Sequence, residues 1–261
     1  MMNWNQLISA KRFGMEEFHE ERQENRSEFQ RDYDRLIFSA PFRRLQNKTQ
    51  VFPLPGSVFV HNRLTHSLEV ASVGRSLGDD VAKALLERHP ELQDSFLPEI
   101  GSIVSAACLA HDLGNPPFGH SGEKAISTFF SEGKGVRLKE KQPNGEQLSP
   151  MEWEDLIHFE GNANAFRILT HQFEGRRKGG FVLTYTTLAS IVKYPFSSSL
   201  AGTKSKFGFF VSEEESFRKI ATELGLILLN EHPLKYARHP LVYLVEAADD
   251  ICYQMMDIEG A

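Results

Sequence analysis

The sequence feature that most constrains the fold is an apolar stretch at residues 101–113, which has two polar residues just before its last leucine and is followed by a Gly-Asn-Pro-Pro break. Its letters, GSIVSAACLAHDL, predict a helix buried at the centre of the molecule. Pro116 and Pro117 end the helix because proline has no backbone N–H for the helical hydrogen bonds. His111 and Asp112 lie at this end, where a terminating turn lets adjacent side chains bind one metal ion.

Helical spacing of apolar residues dominates the rest of the chain, and alternating strand patterns are scarce. This spacing predicts further helices at residues 26–47, 64–87, 160–173, 184–193, 213–230 and 240–258, and another that starts near Ser121. The segment 202–212 is predicted to form a loop or a short hairpin, because the spacing of its phenylalanines is not helical. We therefore predict an all-α fold, a helical bundle with a short loop or hairpin insertion.

The composition indicates a soluble protein without a disulfide framework. The chain has 261 residues, and its formal net charge of −6 argues against bulk electrostatic binding of nucleic acid. Its two cysteines imply no disulfide scaffold. No apolar run is long enough to span a bilayer, and residues 1–12 lack a signal-peptide pattern. We expect a cytoplasmic protein that has no membrane contact.

The same patterns predict one domain over residues 1–261, with its core at residues 26–258. Residues 131–152 mix glycine, proline and charge, which predicts a mobile surface loop. The last predicted helix, residues 240–258, reaches the end of the printed sequence. We expect further C-terminal helices to follow it in the whole protein.

Four residues of metal-binding type lie in predicted helices: His66, the pair His111-Asp112, and Asp249. Two imidazoles and two carboxylates suit Mn²⁺, Mg²⁺, Fe²⁺ or Zn²⁺ with positions open for water and phosphate oxygens, so the set points to hydrolysis at phosphorus. A lone His-Asp pair is more often a surface pair or a helix cap.

The last predicted helix strengthens the metal interpretation. Glu246, Asp249, Tyr253 and Asp257 follow one another at helical spacing and form one polar stripe on a largely apolar helix. Buried carboxylates need a cation or hydrogen-bond donors. The alternative is that the stripe is the solvated face of an amphipathic helix.

A second candidate pair is His120 and Glu123, which are three residues apart at the start of a predicted helix and share a face. A histidine beside a carboxylate can transfer a proton or orient a water molecule near neutral pH. The alternative is a capping glutamate beside a surface histidine.

Candidate cations for a polyphosphate are Arg63, one helical turn before His66, and Lys193 and Lys206. The alternative for each lysine is an ordinary solvated side chain.

With these residues the sequence resembles the HD-domain phosphohydrolases, which are named for an H…HD…D pattern of metal ligands. Flanking motifs narrow the resemblance to the deoxyguanosinetriphosphate triphosphohydrolase (dGTPase) family. They are FRRLQNKTQVFP at 42–53, RLTHSLEVA at 63–71, HDLGNPPFGH at 111–120, FEGNA at 159–163, KYP at 193–195 and EAADDICY at 246–253.

The resemblance implies an all-helical fold and the hydrolysis of deoxynucleoside triphosphates to deoxynucleoside and inorganic triphosphate. It makes His66, His111, Asp112 and Asp249 the metal ligands. It makes His120 and Glu123 the catalytic pair beside the α-phosphate. It places substrate around seven further residues: Gln50 and Asp257 at the 3′-hydroxyl, Tyr253 at the sugar, and Arg63, Lys193, Tyr194 and Lys206 at the phosphates.

The resemblance also implies a homo-oligomer of the full-length protein, with single-stranded DNA or a second deoxynucleoside triphosphate as candidate effectors. Two alternatives stay open. One is another HD-family nucleotide phosphatase or phosphodiesterase, and the other is a catalytically incomplete nucleotide-binding module.

Overall fold

The fold, seen in a computed structural model, is built around one helix whose residues are all buried. The structure describes residues 2–17, 26–48, 62–143, 145–175 and 178–259, the last four without their side chains. The central helix is α5, Ile100–Ala110, and each of its eleven residues is buried. The prediction of a buried central helix from residues 101–113 is confirmed, and the last three of those residues form the turn that follows it.

Ten further α-helices lie along the described part of the chain. They are α1 Trp4–Leu7, α2 Glu28–Ile37, α3 Ala40–Arg44, α4 Arg63–Arg88, α6 His120–Ser131, α7 Pro150–Ile157, α8 Gly161–Thr170, α9 Tyr185–Ile191, α10 Glu214–Glu223 and α11 Val242–Glu259. Helices α2, α4, α9 and α11 pack against α5. Short 3-10 helices are Leu45–Asn47, Pro90–Leu92, Leu97–Glu99, Lys134–Lys139, Ser198–Leu200, Gly202–Lys204 and Val211–Glu213. The prediction of an all-α helical bundle is confirmed.

Helices α4 and α5 approach closely because both carry glycine where they cross. A Cβ atom added to Gly78 would lie 2.7 Å from the Cα of Gly101 and 3.0 Å from the carbonyl oxygen of Ile100. A side chain at residue 78 would therefore push two backbones apart. This close contact fixes the middle of α4 against the first turn of α5.

Two predicted helices end earlier than their apolar spacing suggested. Residues 26–47 divide into α2, α3 and a 3-10 turn, because the hydroxyl of Ser39 caps a new helix that has Pro41 in its first turn. Residues 213–230 contain α10, which ends at Glu223. It is followed by the C-cap residue Leu224 and by Gly225, whose φ of +65° does not continue the helix.

The short hairpin lies elsewhere than the predicted position. Strand β1, Leu228–Asn230, pairs antiparallel with β2, Lys235–Tyr236. Residues 202–212, where a loop or hairpin was predicted, contain 3-10 turns. The segment 131–152, predicted as a mobile loop, contains the 3-10 helix Lys134–Lys139, and α7 begins inside it at Pro150.

The start of α11 is fixed to the N-terminal segment by a buried histidine. His239 is 1% exposed, and its Nε2 donates a hydrogen bond to the carbonyl oxygen of Leu7 at 3.0 Å. Its Nδ1 accepts from the backbone N–H of Leu241 at 3.2 Å. Burial lowers the pKa of His239 to about 4, so the ring is neutral and can accept through Nδ1.

Within the described ranges, no helix combines the length and apolar character needed to cross a membrane.

Candidate metal and nucleotide site

The four candidate metal ligands come together from three helices. His66 lies in the first turn of α4, whose start is set by Asn62, because the Asn62 side chain accepts from the backbone N–H of Thr65. His111 and Asp112 follow the last residue of α5. Asp249 lies in the middle of α11. Residues separated by up to 183 positions thus meet at one point.

Their side-chain atoms are close enough to share one ion. Ligand atoms of His66, His111 and Asp112 all lie within 4.8 Å of one another. The Oδ1 of Asp249 is 2.9 Å from Nε2 of His66 and 3.5 Å from Nε2 of His111. Two ligands at about 2.1 Å from a metal ion and at right angles to each other are about 3 Å apart, so these distances fit neighbouring ligands.

The orientation of His111 leaves one ring nitrogen open toward this point. Its Nδ1 is 2.6 Å from the carbonyl oxygen of Cys108, which requires a proton on Nδ1. Its Nε2 is buried without a hydrogen-bond partner among the described residues. A backbone carbonyl that fixes the tautomer and an imidazole nitrogen left with its lone pair are the arrangement found behind metal-bound histidines. The residues therefore fit a divalent metal.

The charges around this point also favour a cation. Burial opposes protonation of His111, but Asp112 and Asp249 outweigh it and raise its pKa to about 9. Burial disfavours the charged form of Asp249, yet His111 and His66 hold its pKa well below the usual range. The two carboxylates thus favour positive charge at this point, and a bound divalent ion would supply it in place of a proton.

Arg63 is paired with one of the candidate metal ligands, Asp112. Its Nη1 donates to Oδ2 of Asp112 at 2.7 Å, and both side chains are buried. The side-chain amide of Asn115 donates to Oδ1 of the same carboxylate at 2.5 Å. Arg63 was predicted to bind phosphate, whereas the structure pairs it with a candidate metal ligand. Its role in substrate binding stays a prediction.

His120 and Glu123 form a hydrogen-bonded pair at the start of α6. The Nδ1 of His120 is 2.8 Å from Oε2 of Glu123, and the other oxygen, Oε1, accepts from the backbone N–H of Gly161 at 2.8 Å. The His120 side chain is 86% exposed, while that of Glu123 is buried. Because Nδ1 faces the carboxylate, Nε2 of His120 is available to a ligand.

Gly161 is required at the start of α8 by close approach. A Cβ atom there would lie 2.0 Å from Oδ1 of Asn115 and 2.9 Å from Oε1 of Glu123. The first residue of α8 thus lies directly against the carboxylate that orients His120.

Lys206 and Lys193 reach the same region, each paired with a carboxylate. The Nζ of Lys206 is 2.8 Å from Oε1 of Glu160, a side chain that is 1% exposed. The Nζ of Lys193 is 2.8 Å from Oε1 of Glu246. Burial alone would lower the pKa of each lysine, but the carboxylates raise it, so both stay charged.

One cavity of about 310 Å³ joins these groups. The predicted residues that line it are His111, Asp112, His120, Glu123, Lys193, Tyr194, Lys206, Asp249 and Tyr253. Among the described residues, Arg63 and His66 lie outside this lining but contact Asp112 and Asp249, which belong to it.

Tyr253 forms part of the cavity wall above the metal cluster. Its ring centroid is 4.8 Å from that of His66. Burial, reinforced by Asp112 and Asp249, raises the pKa of Tyr253 to about 12, so its hydroxyl keeps its proton.

Two predicted substrate residues cannot be placed. Gln50 lies outside the described residues, and of Asp257 only the backbone, in α11, is described.

The cavity also has polar lining residues that were not among the predicted site residues, including Glu160, Asn162 and Glu246. Glu160 and Asn162 lie in the FEGNA motif, and Glu246 belongs to the polar stripe of α11. Each signal was therefore present in the sequence. What the sequence does not reveal is that the carboxylates pair with the two cavity lysines, which are distant along the chain.

Comparison with known proteins finds similarity to the same kind of protein that the motifs indicate. A family model described as HD domain matches residues 63–177. A Synechocystis sp. protein named deoxyguanosinetriphosphate triphosphohydrolase-like protein is 46% identical over 99% of this chain and 59% of its own length. A Pseudomonas aeruginosa protein of the same name is 47% identical over 99% of this chain and 57% of its own.

A Yersinia enterocolitica protein named deoxyguanosinetriphosphate triphosphohydrolase is 36% identical over the whole of this chain and 55% of its own length. The chain thus spans between 55% and 59% of the length of these relatives. Residues 63–177 thus match the HD-domain family model, and nearly the whole chain is similar to part of proteins named deoxyguanosinetriphosphate triphosphohydrolase or deoxyguanosinetriphosphate triphosphohydrolase-like protein.

Proposed function

We propose that this protein hydrolyses deoxynucleoside triphosphates, dGTP or a related nucleotide, at the α-phosphate to give deoxynucleoside and inorganic triphosphate. One observation carries the proposal: a single cavity joins a His/Asp metal cluster, the His120–Glu123 pair and two charged lysines. The printed names of the relatives support the same reaction. A divalent ion, when bound by His66, His111, Asp112 and Asp249, would polarise a phosphate oxygen and activate water.

The residues of the chain account for the remaining chemistry. Glu123 holds His120 through Nδ1, so Nε2 faces the reacting group and transfers the proton there. Lys193 and Lys206 offset charge on the phosphates after leaving their carboxylate partners. Arg63 holds the Asp112 carboxylate in its orientation through an ion pair. The resemblance assigns Tyr253 to the sugar, Tyr194 to the phosphates, and Gln50 and Asp257 to the 3′-hydroxyl.

The remaining assignments rest on the donor set and the resemblance. We propose Mn²⁺ or Mg²⁺ as the ion, while the two imidazoles also admit Fe²⁺ or Zn²⁺. We propose a single HD-type domain over residues 1–261, a cytoplasmic location, and a homo-oligomer of the full-length protein. Single-stranded DNA or a second deoxynucleoside triphosphate is the proposed effector.

Product analysis tests the reaction. Purified protein loaded with Mn²⁺ or Mg²⁺ is incubated with each of the four deoxynucleoside triphosphates, and the products are identified by phosphorus NMR. Release of intact inorganic triphosphate with deoxynucleoside is the expected result, and the relative rates give the base preference. Release of single phosphate would instead support another HD-family phosphatase or phosphodiesterase.

Nucleotide that binds folded, metal-loaded protein without turnover would support the catalytically incomplete binding module. Isothermal titration with a non-hydrolysable deoxynucleoside triphosphate analogue, run beside the product assay, separates this outcome from a protein that does not bind nucleotide.

The role of His120 has its own test. His120→Ala should lower kcat by about 100- to 10,000-fold, because positioned proton transfer contributes about that much. Metal content measured by atomic emission should stay at the wild-type value, since the His120 side chain is largely exposed and bonds to Glu123 rather than to the metal cluster. An unchanged kcat would contradict the assigned role.

A further inference from the structure

Glu160 is a fully buried carboxylate whose two oxygens do different things. Oε2 accepts from the backbone N–H groups of Asn162 and Ala163, so it caps the start of α8. Oε1 accepts from the side-chain amide of Asn162 at 2.7 Å and from Nζ of Lys206 at 2.8 Å. A helix cap needs one oxygen, and Ser, Thr, Asp or Asn usually supplies it. The second oxygen of Glu160 therefore has another use.

Lys206 lies between two carboxylates and is bonded to one of them. Its Nζ is 2.8 Å from Oε1 of Glu160 but 3.8 Å from Oε2 of Glu123. That same Oε2 is the oxygen that holds Nδ1 of His120 at 2.8 Å. The ammonium of Lys206 and the imidazole of His120 thus face the same oxygen atom. Only the imidazole is hydrogen-bonded to it.

Taking these contacts together, we propose that Glu160 is a positioning residue: it holds Lys206 away from Glu123, so that Glu123 is left free to orient His120. The inference deepens the proposed function, since it concerns the same pair. Charge–charge hydrogen bonds are stronger than those to a neutral ring, so an unrestrained Lys206 would close the gap to Oε2 and displace the imidazole.

His120 has little else to hold it in place. Its side chain is 86% exposed, and the bond to Glu123 is the one hydrogen bond of its ring in the described part of the chain. Lys206, by contrast, comes from a loop in which the hydroxyl of Ser205 contacts Nδ1 of His158 at 3.1 Å. The loop fixes the backbone position of Lys206, and Glu160 determines which carboxylate its ammonium pairs with.

Two substitutions separate the cap from the positioning role. Glu160→Gln keeps an oxygen for the cap and removes the charge that holds Lys206. Glu160→Asp supplies a preferred capping residue, but its carboxylate is one methylene too short to cap and still reach Lys206. If Glu160 only caps α8, Glu160→Asp leaves His120 unchanged. If it positions Lys206, both substitutions release the lysine.

The readout is the tautomer of His120, measured by nitrogen-15 NMR of the metal-loaded protein. The His120 signals are identified by their loss in His120→Gln. Wild-type protein should show the proton on Nδ1. Both Glu160 variants should lose this state and give a mixture of tautomers. Adding Lys206→Met to Glu160→Gln should restore it, because the competitor for Oε2 is gone.

Glu246→Gln is the matched control: this glutamate also pairs with a cavity lysine, Lys193, but neither its contacts nor those of Lys193 involve Glu123. It should leave the His120 tautomer unchanged. An Nδ1 state that persists in either folded Glu160 variant would overturn the proposal. So would an Nδ1 state that is lost in Glu160→Gln and stays lost in the double variant.

The NMR test does not depend on turnover, so it is distinct from the test of the proposed function. If wild-type protein hydrolyses nucleotide, kcat/KM should fall by about 10- to 100-fold in both Glu160 variants, part of what positioned proton transfer contributes, because Lys206 competes for Glu123 in the enzyme before substrate binds. If wild-type protein hydrolyses nothing, the proposed function fails while the tautomer experiment still decides the role of Glu160.

Discussion

Asp249 and Asp250 are adjacent carboxylates on α11 with different surroundings. Asp249 contacts His66 and His111, while Asp250 is exposed. This difference at single-residue scale allows a direct test of the metal cluster with a neighbouring residue as control.

We expect Asp249→Ala to weaken Mn²⁺ binding by at least about tenfold, because even groups behind metal ligands contribute about 10- to 100-fold to affinity. Isothermal titration with MnCl₂ measures the change. Asp250→Ala, one residue away on the same helix, should bind Mn²⁺ like the wild type. Equal affinities of the two variants would exclude Asp249 as a ligand.

At the scale of helices, the crossing of α4 and α5 depends on Gly78. Alanine usually stabilises a helix relative to glycine by about 1 kcal/mol, but here its Cβ would overlap the backbone of α5. We expect Gly78→Ala to lower the free energy of unfolding by about 1–3 kcal/mol, as overpacking does. Urea unfolding followed by circular dichroism measures it.

Ser72→Ala is the control for this substitution, because Ser72 lies on the same helix with its side chain exposed. It should change the free energy of unfolding by less than about 0.5 kcal/mol. A Gly78→Ala variant as stable as this control would show that the two helices can move apart without cost.

The start of α11 gives a prediction on pH. The folded-state pKa of His239 is about 4, below the value of 6.5 for a free histidine, so the unfolded chain binds the proton more readily. The contribution of neutral His239 to the free energy of unfolding is fully present above about pH 6.5 and is lost as the pH falls toward 4. The total loss is about 3 kcal/mol. Urea unfolding between pH 7 and pH 4 measures it.

Other acidic groups also change stability in this range, so the comparison is with His239→Gln. The difference in unfolding free energy between wild type and variant should shrink as the pH falls. A difference that stays constant from pH 7 to pH 4 would mean that His239 does not lose its hydrogen bonds by protonation.

The helices show what the sequence predicts and where it fails. Residues 64–87 and 240–258 carry long apolar spacing and correspond closely to α4 and α11. The breaks at Ser39 and Gly225 were missed, because local capping and a left-handed glycine outweigh apolar spacing there. The hairpin of β1 and β2 was missed because its five strand residues are too few to show an alternating pattern.

Across the whole molecule, the metal cluster connects helices α4, α5 and α11, which are far apart in sequence. An ion that binds only the folded state stabilises it by about 2.7 kcal/mol at a concentration about a hundredfold above its Kd. For a chain of this size we expect Mn²⁺ to raise Tm by about 5–10 °C. Differential scanning fluorimetry with and without EDTA measures this.

The Asp249→Ala variant supplies the control for that measurement, since its Tm should respond much less to Mn²⁺. An equal rise in Tm in both proteins would mean that the ion stabilises the fold from another place.

The candidate site was predicted from sequence in its residues but not in its pairings. The motifs select the metal set and the His120–Glu123 pair, and the structure brings these residues to one cavity. That Arg63, Lys193 and Lys206 each face a carboxylate depends on tertiary contacts between helices and loops distant along the chain. Spacing along a single helix carries no information on such contacts.

These pairings have a consequence for which molecules the cavity retains. Every cation predicted for the phosphates is already paired with a carboxylate, so an incoming molecule gains contacts with these cations only by outcompeting a carboxylate. A triphosphate carries enough charge for that exchange, whereas an uncharged deoxynucleoside does not. We therefore expect the cavity to discriminate first by ligand charge and to let the nucleoside product depart as the ion pairs re-form.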